Sequence, residues 1–183
     1  VVAGYRGWIA YRSDLAQDAS LLYAAVEDAV GSADRATVLE KGKELVSDFK
    51  STPYAALAAL ALAKVKVDTG ELEDAAGHLD WVINNADQEG IRHVARLRLA
   101  RVYLATQKPD LALALVSGTD AGSFAADYDE VRGDIYAQQG KQAEARKAYE
   151  LALDGSQLNP QRREFIEMKL HDLPAVQPAT SAQ

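Results

Sequence analysis

The stretch from residue 66 to 79, KVDTGELEDAAGHL, decides the fold. An alanine-rich run of helical period stops at Asp68-Thr69-Gly70, and a second such run begins at Glu71. Glycine ends a helix in the left-handed conformation without a Cβ penalty and lets the next helix double back, which is the punctuation of an αα-hairpin. One hairpin says little about a fold. What matters is whether the punctuation returns at a fixed interval.

It does. LAALALAKVKVDTGELEDAAGHLDWVI is followed by ARLRLARVYLATQKPDLALALV and then by VRGDIYAQQGKQAEARKAYELAL. Aligning the turns places Gly70, Gln107 and Gly140 in register, 37 and 33 residues apart, on either side of the roughly 34-residue tetratricopeptide period. Five residues after each turn stands Ala75, Ala112 or Ala145, and seven before it Ala63, Ala100 or Gly133. Small side chains at both places let the two helices of a hairpin approach closely. Tyr103 and Tyr136 share one first-helix position, and Leu79, Val116 and Tyr149 share one in the second, setting large residues opposite small ones. In spacing and residue type the pattern resembles the tetratricopeptide repeat, most closely in the third copy. The second copy departs from it at Gln107-Lys108-Pro109, where proline is tolerated as the first residue of a helix.

Two further segments extend the array. Upstream, LAQDASLLYAAVEDAV and ATVLEKGKELVSDF form another helix pair by apolar spacing, with a weak match to the repeat. Ser51-Thr52-Pro53 then caps and opens the next helix. Downstream, Asn159-Pro160 starts QRREFIEMKLHDL, an amphipathic helix suited to cover the last hairpin, because a stack of hairpins otherwise leaves an apolar face wet. The expected architecture is all-α, a tetratricopeptide-type solenoid of helical hairpins over residues 14–173 with a C-terminal capping helix. Residues 174–183, PAVQPATSAQ, have the composition of a loose tail.

Composition agrees. With 48% hydrophobic and 26% charged residues the 183-residue chain is globular, and 7% aromatic beside abundant alanine favours helices over sheets. A net charge of -7 disfavours nucleic acid and anionic lipid as partners. The absence of cysteine excludes disulfides and thiolate chemistry without fixing a compartment. The opening VVAGYRGWIAYRSD admits two readings. Its aromatics and arginines over residues 1–13 suit the outer end, or the flank, of a membrane-spanning helix whose span precedes them. They equally suit an ordinary amphipathic first helix.

Catalytic signatures are weak. His78, His93 and His171 are scattered without metal-ligand spacing and read as surface residues, and the glycines sit singly at hairpin turns, not in phosphate loops. Arg92, Arg96, Arg98 and Arg101 spread over more than one helical face, so a solvated surface outweighs a basic groove. In DYDEVRGD the acids suggest a metal cluster but fit better as exposed charges near a helix start. No enzyme activity, metal or cofactor is expected. The expected site is a protein-binding groove lined by the first helix of each hairpin: Leu57, Leu60, Lys64 and Val67, then Leu97, Arg101 and Leu104, then Asp127, Glu130 and Asp134. Coverage of the leucines by neighbouring helices is the competing reading. Lys64, Arg101 and Asp134 occupy one register position, so an acid stands where a carboxylate clamp would need a third cation.

The order of these parts, from GYRGWIAYR through LRLARV to the RGD before the third turn, resembles the YfgM family, the tetratricopeptide-containing ancillary subunits of the bacterial SecYEG translocon. The resemblance covers nearly the whole chain. It implies a single-pass inner-membrane protein with this domain in the periplasm, without enzymatic activity. The implied partners are SecYEG, the membrane-bound periplasmic chaperone PpiD, and newly translocated proteins. The alternative is a generic soluble tetratricopeptide adaptor that binds peptide segments of a partner protein.

Overall fold

The computed structural model describes residues 2–155 and 159–174, with side chains from residue 14 onward. The expected tail from residue 175, and the side chains of the aromatic-arginine opening, therefore lie outside the described residues. Among those described there are nine α-helices and no strand. They are α1 (Val2–Gly31), α2 (Arg35–Asp48), α3 (Pro53–Asp68), α4 (Leu72–Asn85), α5 (Glu89–Ala105), α6 (Pro109–Val116), α7 (Ala125–Gln138), α8 (Gln142–Asp154) and α9 (Pro160–His171), with a 3-10 turn at Gly122–Phe124. The fold is an all-α helical repeat of four hairpins and a closing helix, and no described helix is long and apolar enough to cross a membrane.

Four turns are built alike. Ala33, Gly70, Gln107 and Gly140 have φ of 58°, 79°, 58° and 73°. After each, the next residue donates its N–H to the carbonyl five positions back, in four bonds of 2.8 Å: Asp34 to Ala29, Glu71 to Lys66, Lys108 to Tyr103 and Lys141 to Tyr136. The turn residue's own N–H bonds three positions back at 3.0 to 3.3 Å. This double bond satisfies carbonyls that a helix end otherwise orphans. The upstream pair is thus a full member of the array, with its turn at Ala33. It looked marginal in sequence because alanine gives no sign of a left-handed conformation.

The next helices start by recognisable devices. Asp34 caps α2 by accepting from the Thr37 N–H at 3.2 Å, and Asn159 caps α9 by accepting from the Arg162 N–H at 2.8 Å. Pro53, Pro109 and Pro160 open α3, α6 and α9, where the missing N–H is no loss.

The chain divides within α5 into two compact units, one ending at Val102 and one beginning at Tyr103. In the first, α3 packs against α1, α2 and α4. It is apolar nearly all round, with Ala55, Ala56, Ala58, Ala59, Leu62 and Ala63 buried, as a central helix requires. The core between α1, α2 and α3 joins Val26, Val38, Leu45 and Val65, and Tyr54 meets Tyr23 at 5.7 Å between ring centroids. In the second unit α7 packs on α8, and α8 on α9. Ala145, Tyr149, Ala152 and Ile166 form the core beneath α9. The small residues Ala75, Ala112 and Ala145 are all fully buried, as the register requires.

Candidate protein-binding face

The register of the turns fixes which first-helix residues share a face. Counting back from Ala33 and Gly70, Tyr23, Glu27 and Val30 on α1 are the counterparts of Leu60, Lys64 and Val67 on α3. In the first unit this face opens into a recess of about 460 Å³ between α1 and α3. Leu57, Leu60 and Ala61 line one side and Tyr23, Val26 and Val30 the other. Glu27, Lys64 and Arg98 bring charge to it. A smaller hollow of about 110 Å³ shares Val30, Ala61 and Lys64 and runs toward Asp34 and Val38. The sequence pattern missed the α1 wall because the Ala33 turn was not recognised. The 37-residue interval back from Gly70 was the signal that would have found it.

Of the expected groove residues, then, Leu57, Leu60 and Lys64 are brought together. Lys64 is exposed and forms an ion pair with Asp68 at 2.7 Å, one helical turn on. Val67 is exposed on α3, whereas Leu97 is buried and Arg101 exposed on α5. Leu104 is half-buried, and its carbonyl accepts from the Gln138 side-chain amide at 3.0 Å.

The acidic members are engaged within the chain. Asp127 pairs with Arg162 at 2.5 Å, Glu130 with Arg162 and Lys169, and Asp134 with Lys169. Glu130 is 5% exposed, not the free charge expected at a helix start. Burial pushes its carboxyl up, but hydrogen bonds from Lys169 and Arg162 outweigh that cost and hold it below the ordinary glutamate range. Burial likewise opposes the charge on Arg162, and its bonds to Glu130 and Asp127 overcome it. Asp134 also accepts from the Tyr149 hydroxyl at 2.7 Å. Burial, with the nearby Asp134 charge, drives the Tyr149 phenol far above its usual range.

Two other expectations are corrected. His93 is buried on α5 and not a surface residue, and His78 is half-buried, with its pKa pushed down by burial. Arg92 turns inward to donate to the carbonyl of Ala86 at 2.9 Å. Among the described residues no group of histidines and acids could hold a metal ion.

Comparison with known proteins agrees with the helical-repeat fold. The tetratricopeptide repeat-like domain family matches residues 1–175. The chain is 34% identical over 172 residues to the ancillary SecYEG translocon subunit of Escherichia coli (strain K12), covering 93% of this chain and 81% of that one. It is 33% identical over 174 residues to the subunit of that name from Neisseria gonorrhoeae (strain ATCC 700825 / FA 1090), covering 93% and 83%. The likeness to the Aggregatibacter actinomycetemcomitans subunit is 24% over 172 residues, again covering 93% and 83%.

Proposed function

We propose that the chain, which belongs to the tetratricopeptide repeat-like domain family, serves as a non-enzymatic ancillary subunit of a bacterial SecYEG translocon. The observation that carries this reading is the likeness over 93% of the chain to two proteins of that name at 33 and 34% identity. In the proposal the domain faces the periplasm, held at the inner membrane by a single span. There it works beside a PpiD-type chaperone on newly translocated proteins. The amphipathic aromatics and arginines of the opening stretch support placing that stretch at a membrane interface.

Binding is assigned to the groove positions of the first helices, foremost Leu57, Leu60 and Lys64 around the recess between α1 and α3. Val67 and Arg101, exposed in the same unit, continue it by register. An apolar floor with charge at its edge suits a partner segment that buries one or two large side chains and presents a charge beside them. Isolation of the tagged full-length protein from detergent-solubilised membranes tests the assignment. SecY and SecE are expected in the eluate, and their loss with Leu57→Asp is expected while the fold persists. An eluate without SecYEG would overturn the translocon reading. SecYEG retained by Leu57→Asp would overturn the recess.

A further inference from the structure

The seat of α9 on the last hairpin differs in kind from the contacts inside the first unit. At the register position ten before the turn, the first helices carry Tyr23, Leu60, Leu97 and then Glu130. An ionised carboxylate nine-tenths buried is costly unless fully paired. Both of its oxygens are taken by α9: Lys169 Nζ donates to Oε1 at 2.9 Å, and Arg162 Nη2 donates to Oε2 at 2.7 Å. Lys169 also donates to both oxygens of Asp134, at 2.8 and 2.9 Å. Three acids of α7 thus face two cations of α9, leaving the face acidic even when α9 is seated.

The apolar part of the seat centres on one side chain. Ile166 is the one residue of α9 that is buried, against Ala145, Tyr149 and Ala152. Phe165 and Met168 stay about half exposed, at 48% and 51%. Leu170 and Leu173 pack half-buried beside the same core, and Arg163 donates to the Leu153 carbonyl at 2.9 Å. The ionic part of the seat sets Ile166 between two cations: Arg162, Ile166 and Lys169, spaced i, i+4 and i+7 on one helical face. That triplet is a recognition code any amphipathic basic helix can carry.

We propose that the acidic face of α7, together with Ala145 and Tyr149 of α8, is a docking surface for a partner's basic amphipathic helix, and that α9 is its built-in occupant and autoinhibitor. A tethered occupant competes at an effective concentration of about a millimolar, so a partner helix enters where α9 is loosened. Ionic attachment at partly exposed cations makes that loosening responsive to salt and to competing charge.

The test uses a fluorescein-labelled peptide of residues 159–173 and the full chain, native and with Arg162→Glu and Lys169→Glu combined. The peptide is expected to bind the double variant at least about tenfold more tightly than the native chain, and to lose roughly tenfold in affinity between 50 and 500 mM salt. A peptide carrying the same two charge reversals is expected not to bind. Failure of the native peptide to bind a helical, cooperatively unfolding double variant would overturn the proposal. So would equal binding of the charge-reversed peptide. Should the double variant not fold, hydrogen exchange on the native chain decides. Amides of α9 are expected to exchange roughly tenfold faster at 500 mM salt while those of α8 hold, and equal protection of both helices at both salts would overturn the latch.

Discussion

The ring of Tyr149 lies directly against the backbone of Gly133: a Cβ built on Gly133 would come within 2.3 Å of the ring's Cε1. The seven-before position is small in the third copy because the ring, anchored by its hydroxyl on Asp134, already fills the space. Gly133→Ala gains up to about 1 kcal/mol of helix propensity, but the overpacking costs more, about 1–3 kcal/mol. Denaturant unfolding is expected to show net destabilisation. Gly77→Ala, on α4 with nothing within 4 Å of its Cβ, is expected to stabilise by about 0.5–1 kcal/mol.

The four equivalent turns make a second prediction. A left-handed residue other than glycine costs roughly 1–2 kcal/mol, and glycine returns part of that gain as unfolded-state entropy, about 0.4–1 kcal/mol. Gln107→Gly and Ala33→Gly should therefore each stabilise by about 0.5–1 kcal/mol. Gly140→Ala should destabilise by about as much. Thermal unfolding with matched heating rates reads all three.

Glu130 sets a pH dependence with a definite sign. Its folded pKa lies below the ordinary value of about 4.3, so its contribution to stability is present above that value. It fades as pH falls through it toward the folded pKa. Urea midpoints measured from pH 6 down to pH 3 should drop, and Glu130→Gln should flatten part of that drop. At pH 7 the same variant leaves Arg162 and Lys169 under-paired and should cost about 2–4 kcal/mol. A variant as stable as the parent at pH 7, with an unchanged pH slope, would refute this account of the network.

Much of the fold was legible because its rules are local. Gly70 and Gly140 announce their turns, and Ala75, Ala112 and Ala145 repeat at one offset and are fully buried. The Ala33 turn was not legible, since its conformation is imposed by the bonds around it and not by residue type. The geometry of the candidate face was legible in part. Register placed Leu57, Leu60 and Lys64 on one face, and the recess joins them. It could not reveal that Asp127, Glu130 and Asp134 meet Arg162 and Lys169, because those partners lie 32 to 39 residues on, in an amphipathic helix read for its apolar face. Charge pairing across separate elements leaves no periodic trace.

Site-specific photocrosslinking in growing cells tests the central claim most directly. A photoreactive residue is placed at Leu57 in the recess or, as a control, at the exposed Gly77 on α4. The account predicts adducts with SecYEG, or with the chaperone bound to it, from Leu57 and none from Gly77. Adducts from Gly77 with none from Leu57 would contradict it.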